Sequence, residues 1–407
     1  MTLSSTSAAT SAVLRRPKRT IILVLGMHRS GTSAVTGALG LLGAAMPTHG
    51  LELAEDNPKG HFESAGIVAL HERVLASGGA RWWDWDRFPD AWYETADSVA
   101  LADELAELLR LEFGQSPIFV VKDPRACILV PLWRRVIALL ELDAVAVLPY
   151  RNPVDVARSL RKRDGFPTAN GHLAWLRYVL QAEVETRNLR RVFLRYEDLV
   201  RDWRQTLKQV VGQLGLSLPR QSARAYQELE NFIDPALRHN AQDTRSLGEV
   251  MDHPWITSAL RSYNQLQLDP YDGHAQDDLD GLRTDFDRAC MVFTAALHGT
   301  TKGFEDAQRR NALIPQLEAK LAASELAAER VSALEAEVAE LRKRPLELPA
   351  DVLGSIQAAT GRIEEGISAL AHVAERQSHS LGDRTARGST DSRWLAKLVR
   401  ARARRAP

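Results

Sequence analysis

The sequence predicts an α/β fold: a parallel sheet flanked by helices, followed by a C-terminal helical, coiled-coil region. Two observations carry the first half. Short β-branched runs with no polar face alternate with longer stretches of helical periodicity. The first of those runs empties into a glycine-bearing polar loop. A third observation carries the second half: beyond about Thr301 the composition shifts to Ala, Glu, Leu, Lys and Arg.

Thr20–Leu25 (TIILVL) reads as a strand buried on both faces, and Ser33–Leu42 as the helix after the loop. Ile118–Val121, Ala144–Leu148 and Val192–Leu194 read as further buried strands. Between and after them, helical patterns cover Leu101–Phe113, Leu129–Leu140, Val154–Arg161, His172–Thr186 and Trp203–Leu214. Such alternation predicts a doubly wound sheet with its site at the strands' carboxyl ends. In Gln316–Arg344 the apolar positions Leu317, Leu321, Val331, Leu334, Val338 and Leu341 suit a coiled coil, with Ala and Ser in the intervening seam. A solvated helix packed on the main domain fits the same pattern. Pro345 and Pro349 are expected to end that helix, and a second amphipathic stretch carries Ile356, Ile363, Ile367, Leu370 and Val373. The tail Arg393–Arg405 pairs Trp394, Leu395, Leu398 and Val399 with arginines, a composition suited to an anionic membrane, a partner, or a frayed end. The expected organisation is a disordered basic tail over 1–19, a folded domain over 20–300, a helical segment over 301–345, and an amphipathic helix with basic tail over 346–407.

At 407 residues and 45% hydrophobic, the chain can bury a sizeable core. Its 52 basic and 52 acidic side chains cancel, which argues against a general nucleic-acid binder. No acid precedes Glu52, so an anionic ligand near this end meets a favourable field. Cys127 and Cys290 make neither a disulfide framework nor a metal spacing and suit a reducing compartment. No apolar run approaches the roughly 20 residues that span a bilayer. Met1–Thr20 lacks a signal core, so cytoplasmic residence is expected, a transit peptide being the alternative.

Gly26-Met27-His28-Arg29-Ser30-Gly31-Thr32-Ser33 has the frame of a phosphate-binding P-loop: two glycines separated by four residues, then a hydroxyl pair. Glycines let successive N–H groups turn into one concavity at the positive end of the next helix. A Walker-A loop carries Lys where this chain has Thr32, so the group that reaches the terminal phosphates of ATP is absent. An ordinary strand-to-helix turn and an ATP-using kinase or NTPase are the competing readings. Arg151-Asn152-Pro153 after the third strand begins a helix with Pro near its first position, and Ser159 lies eight residues beyond Arg151.

With those residues in view, the chain resembles the sulfotransferases that use 3′-phosphoadenosine 5′-phosphosulfate (PAPS). His28–Ser33 is similar to their 5′-phosphosulfate loop, and Tyr150–Ser159 to their 3′-phosphate segment, with Arg151 and Ser159 in the phosphate-binding places. Arg195-Tyr196-Glu197-Asp198-Leu199-Val200 resembles a family segment whose Tyr contacts the nucleotide. Lys122-Asp123-Pro124-Arg125 resembles the Lys-Asp-Pro turn of protein-tyrosine sulfotransferases. The likeness spans Thr20 to about Gly215 and leans toward the protein-tyrosine and bacterial carbohydrate-modifying branches; cytosolic small-molecule enzymes carry Lys near Arg29. It implies PAPS as donor, bound by His28, Arg29, Ser30, Gly31, Thr32, Ser33, Arg151, Ser159, Arg163 and Tyr196. It also implies no required metal, since arginine, lysine and backbone donors can carry the charge.

Arg29 and Lys122 are the expected charge-stabilising groups, Lys122 having a local salt bridge as its alternative. Similarity makes Glu63 the general base. His61 competes on its chemistry, and a carboxylate in the first turn of the Ser64 helix is the plain reading of Glu63. Arg163 stands one helical turn beyond Ser159, shared with the 3′-phosphate or exposed in a basic run. Arg81-Trp82-Trp83-Asp84-Trp85 with Trp92 offers sugar-stacking surface or core packing. The bacterial branch implies a carbohydrate or glycolipid acceptor; a protein or small metabolite is the alternative. A non-catalytic assembly protein working through its helical tail is the remaining class; separately, the C-terminal helices offer a route to a homo-oligomer.

Overall fold

The computed structural model describes residues 18–51, 60–233 and 253–343, and 354–372 except 356, 367, 370 and 371. Four strands, β1 (Thr20–Val24), β2 (Ile118–Lys122), β3 (Asp143–Tyr150) and β4 (Arg190–Arg195), form one sheet in the order β2-β1-β3-β4. Every pairing is parallel, with Val24 level with Lys122 on one side and Val147 on the other. The reason is visible in β1 itself: Ile21, Ile22, Leu23 and Val24 are all buried, so both faces need helical cover. Ile21 and Leu23 join a core with Ile67, Leu105, Trp133 and Trp175, while Ile22 and Val24 join one with Val35, Leu39 and Leu207.

That cover comes from helices α1 (Thr32–Leu41), α2 (Ala65–Ser77), α3 (Ala96–Phe113), α4 (Val130–Leu139), α5 (Pro153–Asp164), α6 (Thr168–Glu185), α7 (Tyr196–Arg201) and α8 (Trp203–Gln213). After α9 (Ala223–Phe232), two more follow, α10 (Pro254–Leu268) and α11 (Gly273–Lys343). Local chemistry sets the boundaries. Thr95 and Ser222 cap α3 and α9 through their hydroxyls, Asn152 caps α5 ahead of Pro153, and Gly165 ends α5 in the left-handed region. α6 runs through the middle of the first unit and buries polar residues as well as apolar ones, including Arg177, Gln181 and Glu183. Glu183 pairs with both Arg191 on β4 and Arg187, and Asp280 also pairs with Arg187, so two carboxylates answer the two arginines.

All four expected strands and the helices between them are present. One difference concerns the long helix, which starts at Gly273 and not near Thr301. Its first turns bury Ala275, Leu279, Leu282, Phe286 and Cys290 at helical spacing, yet their acidic neighbours mask the stripe in the sequence. Pro315 lies inside the same helix. The chain divides into two compact units, Met1–Glu305 and Asp306–Pro407. Among the described residues no helix is long and apolar enough to cross a membrane. The basic tail before Lys18, the prolines at 345 and 349, Ile356, Ile367, Leu370, Val373 and the arginine-rich tail lie outside the described residues. Both cysteines are buried, and burial pushes their thiols up, that of Cys290 to about 11.

Candidate functional site

The carboxyl ends of the four strands carry the motif residues. Leaving β1, Leu25 N still donates to Val147 O (2.9 Å), which holds the loop against β3. Gly26 is required there, because a Cβ would sit 2.5 Å from the Pro149 carbonyl oxygen. Ser30 N donates back to Met27 O (3.1 Å), closing a turn in which Arg29 (φ 68°) and Gly31 (φ 85°) are both left-handed. Gly31 is the N-cap of α1, and it offers no side chain to the first N–H groups; the first turn also has no acid. A Cβ on Gly31 would lie 2.2 Å from the Tyr196 ring. Tyr196, the first residue of α7, therefore lids the loop, and the Arg151 guanidinium stacks 5.0 Å from its ring centroid.

Two distant motifs meet at one hydrogen bond: Arg29 Nε donates to Ser159 Oγ at 2.9 Å. Arg29, Ser159, Arg151 and Tyr196 thus gather on the β3–β4 side of the loop. Arg163 does not join Ser159, because its guanidinium is engaged bidentately by Asp164 (2.8 and 2.6 Å). Its charge still reaches His28. Burial first, then Arg125, Arg163 and Lys122, push the His28 pKa well below the ordinary histidine value, so the ring is neutral near pH 7. His28 packs 4.6 Å from the Trp82 ring. Its Nε2 and the Ser30 hydroxyl are shut from solvent without a hydrogen-bond partner among the described residues. Two orphaned polar groups at an uncapped, acid-free helix start fit an oxygen-rich anion. Thr32, next in the loop, is buried and gives its carbonyl to Thr36 Oγ1 (2.9 Å).

On the β1–β2 side the arrangement is different. Lys122 ends β2 with its ammonium nearly buried, and it donates to Ser33 Oγ (3.1 Å), His61 O (3.0 Å) and Glu63 Oε1. The local salt bridge weighed for Lys122 is therefore present, and its partner is the expected base. All three ammonium protons are used. Glu63 stands one residue before Ser64, the N-cap of α2, so its reading as a first-turn carboxylate is corrected: the side chain points to Lys122 instead. His61 faces this cluster with its carbonyl. Gly60 (φ 99°) and Phe62 (φ 58°) are left-handed, which turns the backbone sharply enough to bring His61 O and Glu63 Oε1 to one ammonium.

Residues outside the sequence motifs hold this side in place. Asp123, next to Lys122, accepts from Arg125 Nη1 (3.0 Å) and pairs with His71 Nδ1 (2.7 Å), both Asp123 and His71 being fully buried. Trp133 Nε1 donates to His71 Nε2 (3.1 Å), which fixes the proton of a neutral ring on Nδ1, where it is given to Asp123. Burial alone would raise the Asp123 pKa, but Arg125 and His71 hold it far below the usual carboxylate range. Glu112 performs the same service at the corner, accepting from Ser64 Oγ (2.7 Å), His49 N (2.8 Å) and Thr48 Oγ1 (2.9 Å). His71, Trp133 and Glu112 carried no signal in the chain, since each partner lies 48 or more residues away. The tryptophan cluster resolves toward packing: Trp82, Trp85 and Trp92 are core residues and only Trp83 is half-buried.

The fold defines a four-stranded parallel α/β class with its polar site at the strands' carboxyl ends. Its neighbours among solved structures are bacterial sulfotransferases at low similarity. The sulfotransferase domain from the Synechococcus PCC 7002 olefin synthase is 20% identical with a TM-score of 0.35, covering 56% of this chain and 89% of that one. The sulfotransferase domain from the curacin biosynthetic pathway is 18% identical with a TM-score of 0.33, covering 55% and 91%. Sulfotransferase STF9 from Mycobacterium avium is 16% identical with a TM-score of 0.35, covering 56% and 70%. No protein-family model and no curated protein sequence matches the chain. Similarity at this level decides nothing about activity, so the functional reading comes from the side chains.

Proposed function

We propose that the chain is a PAPS-dependent sulfotransferase that moves a sulfuryl group to an acceptor hydroxyl, with Glu63 as general base. The observation that carries this is the Arg29–Ser159 hydrogen bond, which joins a lysine-free phosphate loop to the segment expected to hold a second phosphate. Bound PAPS supplies the activated sulfuryl group. The loop N–H groups and the hydroxyls of Ser30 and Thr32 would hold its 5′ end, with Arg29 balancing charge on the leaving side. Arg151 and Ser159 would hold the 3′-phosphate, the arginine offering a planar fork and the serine a short donor.

Glu63 has one oxygen occupied by Lys122, which leaves Oε2 as the acceptor for a hydroxyl proton. Lys122 must release at least one of its three partners to reach the transferred group. Ser33, already its partner, lies in the first turn of α1 and keeps the ammonium beside the loop. Because Trp82, Trp85 and Trp92 are core residues, the tryptophan cluster does not support a sugar-stacking role, and the acceptor class is a carbohydrate or glycolipid by resemblance alone.

Thermal shift gives the first test. Adenosine 3′,5′-bisphosphate should raise the melting temperature without Mg²⁺, and ATP with Mg²⁺ should leave it unchanged. The reverse result would favour a kinase or NTPase. Transfer of labelled sulfate from PAPS to a panel of glycans, peptides and small alcohols then names the acceptor. A chain that binds the bisphosphate and labels nothing in a broad panel would be a non-catalytic member of the fold.

A further inference from the structure

The second unit contains the stretch of α11 that follows Pro315, and its exposure pattern is regular. Between Gln316 and Glu340 only Leu317, Ser324, Ala327, Val331, Leu334 and Val338 are half-buried; every other residue is exposed. Their spacing of seven, three, four, three and four is a heptad repeat, with Leu317, Ser324, Val331 and Val338 at a, and Ala327 and Leu334 at d. None of the six is buried, so the described residues leave the seam open. Val at a with Leu at d is the pattern of a parallel two-stranded coiled coil.

Charge at the flanking positions identifies the occupant. In a parallel, in-register pair each g residue faces the e residue of the partner's next heptad. Here g holds Arg330 and Glu337, and e holds Glu335 and, by sequence position, Arg342. A second copy of this chain therefore presents Glu335 to Arg330 and Arg342 to Glu337, on both sides of the two-fold axis. Within one helix Arg330 and Glu335 are five residues apart and do not share a face. We infer that residues 317–341 form a parallel homodimeric coiled coil. Ser324 at a and Lys320 at d weaken its first half, so the pairing is concentration-dependent and resides mainly in Ala327–Leu341.

Sedimentation equilibrium of the full-length protein tests this. Mass should rise with concentration from the 45.2 kDa of one chain towards twice that value. Leu334→Asp should give a monomer throughout, with the bisphosphate response of the first unit or, failing any such response, an unchanged far-UV circular dichroism spectrum as the folding control. Arg330→Glu should weaken the dimer by about tenfold, because two pairs turn repulsive, and Arg330→Glu with Glu335→Arg should restore it. A wild-type monomer at every concentration overturns the proposal; the seam would then be covered within the chain. Rescue by Glu337→Arg in place of Glu335→Arg would overturn the parallel arrangement in favour of an antiparallel one.

Discussion

The two sides of the site handle charge in opposite ways. At the carboxyl end of β2 two cations are answered from within: Lys122 by Glu63, Arg125 by Asp123 and Glu72. Beside β3, Arg29 meets the hydroxyl of Ser159 among its contacts, and Arg151 rests on the ring of Tyr196, a contact that positions its guanidinium without neutralising it. The first arrangement keeps a rigid set of groups at fixed distances in a nearly dry environment. The second keeps the positive charge of Arg151 available for an anion. A base and a phosphate clamp need those two different surroundings, and the sheet supplies them on either side of one loop.

The largest expected effect comes from breaking the neutral side. Lys122→Met leaves the Glu63 carboxylate buried without its counter-charge, which should cost about 3–5 kcal/mol in urea unfolding. Adding Glu63→Gln to that variant should recover much of the loss, because the orphaned charge is gone. If Lys122→Met unfolds like the wild type, the pair is not the internal neutralisation described. Glu63→Gln alone keeps a hydrogen-bond acceptor for Lys122 but removes its counter-charge, so stability should fall by less than in Lys122→Met while the fold and the bisphosphate response persist. Turnover should fall by at least about a hundredfold, the low end of what a positioned base contributes. Near-normal turnover would remove Glu63 from that role.

Gly31→Ala comes next, since it places a Cβ against the Tyr196 ring at a positive φ. A destabilisation of about 1–3 kcal/mol is expected, together with loss of the bisphosphate response, read in one thermal-shift series. Arg151→Met should behave in the opposite way to Lys122→Met. Stability should change by less than about 1 kcal/mol, the scale of an exposed cation–π contact. Affinity for adenosine 3′,5′-bisphosphate should nevertheless fall about tenfold, with adenosine 5′-monophosphate unaffected. Equal losses for both ligands would separate Arg151 from the 3′-phosphate.

This asymmetry also explains what could be read in advance. The strands were legible because a strand covered on both faces is an unbroken apolar run, and Thr20–Leu25 or Ala144–Leu148 has no other reading. The loop frame is a local motif at a strand end, whereas Arg151 and Ser159 are singled out only by the family resemblance. The joining of the loop to Ser159 through Arg29 was not legible, since a hydrogen bond across 130 positions leaves no periodicity. On the β2 side even less was visible. Lys122 was named for its place at a strand end and Glu63 by resemblance, but their pairing depends on the left-handed turn at Gly60–Phe62, and His71 sits on α2 like any core residue. The tryptophans illustrate the converse: Trp82-Trp83-Asp84-Trp85 looks like surface chemistry in a string, and packing against Phe166 and Phe304 turns it into core.

The smallest expected effect lies in the response to acid, and it too should separate the two sides. Burial would raise the Glu112 pKa, but bonds from Ser64, His49 and Thr48 outweigh it and hold the group below the ordinary glutamate value. A folded pKa below the unfolded one means stability that is fully present above the unfolded value of about 4.3 and lost as pH falls through the folded value. Wild type should therefore be more stable than Glu112→Gln at pH 7, and the gap should narrow as pH falls below the unfolded value of about 4.3. Because Glu112 anchors Ser64, and with it the Glu63 corner, acid should loosen the β2 side in that window. Arginine, hydroxyl and ring do not titrate there, so amide exchange around Arg29 and Ser159 should stay slow while exchange at Ser64–Ile67 quickens. Simultaneous loosening of both sides would mean that the loop, and not the charge pattern, couples them.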